Sequence, residues 1–481
     1  MREIIIYGGM SMSNVATSPA FRRIESLLDE HSFVELGALV TSRSTDFNSQ
    51  EQKAPSDGVV IGHGTVDGNL VFVYSQDAGV MGGSVGEMHA RKICQLYEMA
   101  VKVGAPVIGL LDSTGIRLQE SIDALDAVGR IYASAVAASG VIPQLTAVFG
   151  NCGGGLGILT SISDFTFIEE GARLFINSAN AIPGNSEETL DTASAAFQFE
   201  AGNADGIGSE EEILSQIRSM ISLVPGSNLQ EGEVAEASDD LNRAAEGLDV
   251  KRDDARAAAA ELADQHVFFE TRAGYAKEMT TGFIRLGGIT VGIFGNTQKC
   301  DDRDDGNQLT VNGAYKAADF VRFCDAFDIP LLSLTNVTSY EASLYAEKAL
   351  GQAAARLIYA LASASVPKIN VITKKAVGTA FLAMNAKSVG ADLTFALPDA
   401  QIEIMDASLA AQVMYASADQ AEQTAQARAF AEKQSGVIAA AGRGFVDRIV
   451  APEDLRKYLI AGFEMLLGKR EDFTFKKHGT K

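Results

Sequence analysis

The stretch Gly104–Gly115, GAPVIGLLDSTG, returns as Asp328–Ser339, DIPLLSLTNVTS. Each copy is a short apolar run entered through a proline and left through small polar residues, the pattern of a buried strand that feeds a loop. A second pair follows. SGVIPQLTAVFGNCGGG (139–155) returns as ASVPKINVITKKAVGT (364–379). The prolines set the register, because Pro106 to Pro330 and Pro143 to Pro367 both span 224 residues. That spacing predicts that Gly154 matches Gly378, and a glycine does stand there. Upstream, Gly68–Val71 matches Gly288–Val291 at a spacing of 220; downstream, Asp164–Phe167 matches Asp392–Phe395 at 228. Small insertions account for both shifts. The chain is an internal duplication.

Around these anchors the pattern alternates between strands and helices, which indicates α/β units. GVVIGHGTVDGNLVFVYSQD (58–77) holds two β-rich runs joined by Asp67-Gly68, a hairpin signal. EMHARKICQLYEMAVKVG (87–104) is helical in pattern and closes on Gly104 as a C-cap. A further helix spans roughly Ile122 to Ser139, and Pro19 to Asp29 forms a short amphipathic one. Ser42 to Pro55 reads as a polar surface loop. Residues 228–265 are acidic and alanine-rich and read as an exposed linker and helix. The expected division is therefore 1–240 and 241–481.

The 481 residues are 47% hydrophobic and 21% charged, a globular composition. Lys plus Arg is 40 and Asp plus Glu is 62, for a net charge of −22, which argues against non-specific binding to nucleic acid or anionic lipid. Cys94, Cys152, Cys300 and Cys324 are scattered without a C-x-x-C pair, so neither a zinc ribbon nor a disulfide framework is expected. No apolar run is long enough for a membrane span, and the N-terminal run is too short for a signal-peptide core. The expected location is cytoplasmic.

The chemistry concentrates in two turns, AVFG-NCGGG-LGILTSISD and NVITKKA-VGTA-FLAMNAKS. A strand, a glycine turn and a helix start expose main-chain N–H groups at the positive end of a helix dipole, and glycine lets a ligand atom come close. Such a turn makes an anion site or oxyanion hole; its bland reading is glycine packing a helix onto a sheet. Asp112–Glu120 adds polar residues at the C-terminal end of a strand, where open α/β sheets bind ligands. Its plainer reading is a helix start capped by Asp112 or Ser113. The glycines fit neither a dinucleotide fingerprint nor a P-loop, and neither an H-E-x-x-H motif nor a metal-ligand constellation is present. Glu87 and His89 lie near one loop but form no recognisable acid–base pair. Cys152 reads as a small buried filler, because no histidine is placed to activate it.

RRIESLLDEHSFVEL, SDGVVIGHGTVDG, VFVYSQDAGVMGGSVGEMHARKI, DSTGIRLQE and SDFTFI, in that order, resemble the N-terminal half of the carboxyltransferase subunits of biotin-dependent acyl-CoA carboxylases and decarboxylases. FVRFCDAFDIPL, SVPKINVITKKAVGTAF and GADLTFALPDAQIEIM resemble their C-terminal half. The nearest type is the propionyl-CoA carboxylase β subunit and methylmalonyl-CoA decarboxylase α subunit. The resemblance implies two tandem crotonase-like domains of the ClpP/crotonase type. It implies transfer of a carboxyl group between biotin on a separate carrier protein and the α-carbon of an acetyl-, propionyl- or related acyl-CoA. Run in reverse, the same site decarboxylates methylmalonyl-, malonyl- or glutaconyl-CoA.

Carried over by position, the resemblance puts the thioester oxygen on Gly154 and Gly155 and the biotin oxygen on Gly378, Thr379 and Ala380. Thr114, Gly115, Ile116, Arg117 and Leu382 are expected at the substrate, and no metal is implied. A biotin carboxyl carrier protein, and a biotin carboxylase or membrane decarboxylase subunit, are the expected partners. A homo-oligomer (dimer or hexamer) is expected, with each active site shared between two copies. The chain departs from the family at three places. Thr379 replaces a second glycine and disfavours positive φ; Thr114 and Ile116 are bulkier than usual; and Val337–Tyr340 replaces a Val-Pro-Gly-Phe-like segment. Two other classes stay open: a biotin-independent crotonase-like hydratase or hydrolase, and a non-catalytic CoA-binding scaffold.

Overall fold

A computed structural model describes residues 18–43, 56–230, 234–298 and 307–471. Ser42 and Arg43 are within it; the rest of the polar loop read at 42–55 lies outside the described residues, as does Cys300. The chain forms two compact units, Met1–Glu231 and Gly232–Lys481. The division falls earlier than the expected 240. The residues after it belong to the second unit, where Ala235 N–H donates to Gly288 O at 3.1 Å.

The first unit is built on β1 (Val34–Leu36), β2 (Val59–Val66), β3 (Asn69–Gln76), β4 (Val107–Ser113), β5 (Gln144–Gly153), β6 (Phe165–Glu169), β7 (Arg173–Phe175) and β8 (Gly206–Gly208). The order is β1-β2-β3-β4-β5-β6-β8, with β7 continuing beside the end of β5. β1 to β3 are antiparallel and the rest parallel. The Asp67-Gly68 hairpin is present, with φ of 50° and 83° at its two turn residues. The helix Glu87–Val103 ends on Gly104 at φ 75°. The helix Ser121–Ala138 starts later than a cap at Asp112 or Ser113 would give, because both of those residues are still in β4. One apolar core joins the inner faces of these two helices to the sheet through Ile93, Leu96, Tyr97, Ile131, Val107 and Val148.

The second unit repeats this wiring with β9 (Phe268–Thr271), β10 (Met279–Leu286), β11 (Ile289–Asn296), β12 (Gln308–Leu309), β13 (Leu331–Val337), β14 (Ser339–Tyr340), β15 (Lys368–Val377), β16 (Leu393–Ala396), β17 (Gln401–Glu403) and β18 (Arg448–Ile449). Its sheet runs β18-β16-β15-β13-β11-β10-β9, with β17 beside β15 and a separate β12–β14 pair. Of the acidic, alanine-rich segment expected as an exposed linker and helix, residues 234–244 are mostly exposed, while the part that follows is core. Leu248, Ala258, Ala259 and Leu262 are fully buried against the sheet, because small side chains let the helix Ala255–Leu262 lie close to the strands.

The duplication extends to individual hydrogen bonds. Pro106 O and Pro330 O accept from the neighbouring strand, from Phe72 N–H (2.9 Å) and Gly292 N–H (2.8 Å). Pro143 O and Pro367 O accept from Val107 (3.0 Å) and Leu331 (2.8 Å). Each proline stands just ahead of its strand, where its missing N–H costs no ladder bond. Asp164 accepts from Gln144 N–H and Asp392 from Lys368 N–H, both at 2.8 Å. Asp29 takes the two hairpin amides Asp67 and Gly68, and Asp264 takes Gly287 and Gly288. Arg218 and Arg456 then pair with those two carboxylates.

Beneath the loop after β4 lies a buried polar network. The Arg117 side chain is fully buried and pairs with Asp57 (2.5 Å) and Glu120 (2.8 Å), while its Nη2 donates to Ser84 O at 2.7 Å. His89 N–H donates to Asp57 Oδ2 at 2.7 Å, and His89 Nδ1 lies 2.9 Å from Asp57 O. Burial, with the Arg117 cation adding to it, pushes the His89 imidazole down to about 3.

Folded His89 therefore stays neutral through weak acid, whereas the unfolded residue takes up a proton near pH 6.5. Between those values unfolding binds a proton here, so this residue's contribution is complete above pH 6.5 and falls as the pH falls, by about 1.4 kcal/mol per pH unit. In urea unfolding, His89→Gln is less stable than the parent at pH 7, and the gap narrows at pH 5. A gap independent of pH would show that His89 is not the linked group.

Candidate active site

In the first unit, β5 runs into Gly154 at φ 59° and ψ −128°, a region essentially closed to residues with a Cβ. The helix Gly155–Ile162 starts immediately after. Gly154 N–H donates to Phe175 O at 2.9 Å, which ties the turn to the end of β7. The amides of Gly155 and Leu156 follow in the first helical turn, where N–H groups have no intrahelical acceptor. A Cβ at Gly153 would lie 2.6 Å from the Phe175 ring, so Gly153 gives that ring its room. Gly155 is under a different constraint. The Tyr132 hydroxyl donates to Gly155 O, and a Cβ at Gly155 would meet it at 2.8 Å.

The loop expected at the substrate sits beside this turn. Gly115 has φ 110°, and the atom nearest to a Cβ there would be Gly153 O at 3.9 Å. Val85 and Ile116 form a short parallel bridge, with Val85 N–H on Gly115 O at 2.8 Å and Arg117 N–H on Val85 O at 2.9 Å. Thr114 is exposed and Ile116 is partly exposed. Arg117, expected at the substrate, is instead the buried anchor of this loop, because its guanidinium is committed to Asp57, Glu120 and Ser84. His89 is likewise part of the packing. Burial pushes the Cys152 thiol up to about 12, so it is a filler and not a nucleophile.

The second unit holds the matching turn. β15 ends at Val377, and Gly378 opens the helix Gly378–Leu382 at φ 61°. Positive φ thus falls on Gly378, the partner of Gly154, and not on Thr379. Thr379 causes none of the backbone strain that its replacement of a glycine suggested. Its side chain is exposed, while Ala380 is buried. The Tyr340 hydroxyl donates to Thr379 O at 3.0 Å. The segment around Tyr340 is held to β12, with Glu341 N–H on Leu309 O at 3.0 Å. Leu382, at the end of this helix, is 37% exposed. Exposed isoleucines flank both turns at matching places, Ile176 just after β7 and Ile404 just after β17. Sequence reading did not single out Phe175 or Tyr132, which reach the first turn through space and leave no local pattern; it marked Tyr340 only as the end of a segment that departs from the family.

A carboxyl transferase domain model matches residues 17–480. The chain is 36% identical over 483 residues to a propionyl-CoA carboxylase beta chain of Roseobacter denitrificans, with 95% of this chain and 92% of that protein covered. It is 33% identical over 474 residues to the methylmalonyl-CoA decarboxylase subunit alpha of Veillonella parvula, covering 96% and 92% respectively. A crystal structure of the transcarboxylase 12S hexamer, with hydrolysed methylmalonyl-coenzyme A bound, superposes with a TM-score of 0.91 at 32% identity, covering 98% of this chain and 95% of that one. Its two-domain crotonase-like fold is the fold of the two units here. The chain belongs to the carboxyl transferase family, as a biotin-dependent acyl-CoA carboxyltransferase of the propionyl-CoA carboxylase β and methylmalonyl-CoA decarboxylase α type.

Proposed function

We propose that the two turns are the oxyanion sites of the carboxyl transfer, with the thioester oxygen at Gly154–Gly155 and the ureido oxygen of biotin at Gly378, Thr379 and Ala380. The observation that carries this reading is the matched geometry: a strand, a glycine at φ 59° or 61°, and a helix start in each unit. With Gly154 N–H already bound to Phe175 O, the donors at the first turn are Gly155 and Leu156 N–H, the counterparts of Thr379 and Ala380. Uncharged N–H pairs suit oxygens that are neutral in the ground state and gain charge only as the reaction proceeds. The ureido group, when bound, carries the carboxyl group and exchanges it for the α-proton of the acyl group. The chain itself orients the two partners and holds the charge that builds on each oxygen.

Thr114, Gly115 and Ile116 stand beside the first turn and form the acyl-CoA side. Leu382, apolar and part-exposed beside the second, suits an alkyl substituent and offers nothing to pair a charge. The bound ester of the 12S structure makes methylmalonyl-CoA the first substrate to test. The exposed Ile176 and Ile404 support an assembly of several copies, as in the 12S hexamer. A biotin carboxyl carrier protein and a biotin carboxylase or membrane decarboxylase subunit complete this reading. A cytoplasmic location belongs to it too; no described helix is long and apolar enough to cross a membrane.

Purified protein with free biotin should decarboxylate one of malonyl-, methylmalonyl- or glutaconyl-CoA, followed by mass. Gly154→Pro, which cannot take φ 59° or donate to Phe175 O, should lower turnover by about a hundredfold or more. Turnover without biotin would point to a hydrolase instead; CoA-ester binding without turnover, even with a biotinylated carrier, would point to a scaffold.

The same geometry separates two adjacent residues. Gly378→Ala forces a Cβ into positive φ at a cost of about 1–2 kcal/mol, so turnover and thermal midpoint should both fall. Thr379→Gly should leave the thermal midpoint close to the parent's. The reverse ranking would mean that Thr379, not Gly378, sets the turn.

A further inference from the structure

Both turns receive a tyrosine hydroxyl at the same backbone atom. Tyr132 donates to Gly155 O, and Tyr340 donates to Thr379 O at 3.0 Å. Gly155 and Thr379 correspond at the 224-residue spacing of the duplication, but the two tyrosines do not. Tyr132 lies on the helix Ser121–Ala138, and its counterpart on that spacing is Arg356, which pairs with Asp319 at 2.8 Å. Tyr340 lies on β14, and its counterpart is Ile116, which has no side-chain donor. One acceptor position is thus met from two unrelated places. Common descent alone does not produce that arrangement, whereas a shared requirement at the acceptor does.

We propose that Tyr132 and Tyr340 are positioning residues for the two oxyanion sites, each acting through the carbonyl that lies between that site's two N–H donors. The proposal rests on the reading of the turns given above. The Gly155 carbonyl shares its peptide plane with Leu156 N–H, and the Thr379 carbonyl shares its plane with Ala380 N–H. A hydrogen bond accepted by the carbonyl fixes that plane and polarises the peptide, so the attached N–H becomes a stronger donor. The effect grows as charge builds on the bound oxygen, so it serves the transition state more than the bound substrate. It also accounts for the choice of residue at the two acceptors. Tyr132 stands where a Gly155 side chain would be, so a side chain at 155 would displace the hydroxyl although the φ there is not positive. Tyr340 comes from β14 and leaves room for the Thr379 side chain.

The test compares Tyr132→Phe and Tyr340→Phe with the parent in biotin-dependent decarboxylation of methylmalonyl-CoA, with thermal midpoints as the folding control. Each variant should lose about fivefold to tenfold in kcat, while KM for the CoA ester and for biotin stays within about twofold. Gly155→Ala, which displaces the Tyr132 hydroxyl, should cost less in the Tyr132→Phe background than in the parent. Parent-like kcat in either Phe variant, or a change confined to KM, overturns the proposal. A parent protein that turns over no CoA ester with free biotin or a biotinylated carrier overturns the reading of the turns themselves, and the proposal with it.

Discussion

A main-chain N–H in the first turn of a helix has no acceptor inside that helix. In both halves of this protein a strand is steered, by one glycine in positive φ, so that two such groups follow immediately at the start of the next helix. The sheet order fixes where the strand ends. β7 and β17, which continue beside β5 and β15, brace the ends of those strands. The remaining groups near the turns are tied to backbone atoms, as with Phe175 O on Gly154 and Gly115 O on Val85. On the oxyanion reading proposed above, carboxyl transfer would ask for little else from the protein, because the charge that develops is carried by oxygens and a neutral donor pair would stabilise it without a competing ground-state ion pair.

Duplication supplies two such sites at the cost of building one scaffold twice. The copies share more than topology. Each has a carboxylate clamping its hairpin, Asp29 or Asp264, an arginine behind that carboxylate, and an aspartate closing the entry to the central parallel strand. The parallel bridge Val85–Ile116 of the first unit recurs as the β12–β14 pair of the second, and the first unit adds beneath it the buried ion pairs of Arg117 with Asp57 and Glu120.

Much of this was legible in the sequence. Prolines ahead of buried strands, the Asp67-Gly68 hairpin, Gly104 as a cap and the match of Gly154 with Gly378 are local signals, and each has its local cause in the structure. What failed to show was decided by packing. The alanine-rich stretch looked exposed because alanine is weakly hydrophobic, yet its size is what lets Ala258 and Ala259 lie against the sheet. Arg117 is expected at the substrate from the family resemblance and from its place in a polar stretch at the C-terminal end of a strand; its buried partners Asp57 and Glu120 include one that is 60 residues away. Tyr132, 23 residues from Gly155, left no pattern at all.

The backbone of the loop after β4 is tied down along its length, and at its tip the Thr114 side chain is exposed. Arg117 is locked beneath it by two carboxylates and a carbonyl, while Thr114 stands in solvent beside the first turn. If this loop is the acyl-CoA side proposed above, foldability and selectivity fall to different residues of one short segment: Thr114 and Ile116 can then change by single substitutions, and with them the preference among acyl groups, while the ion pairs of Arg117 stay untouched.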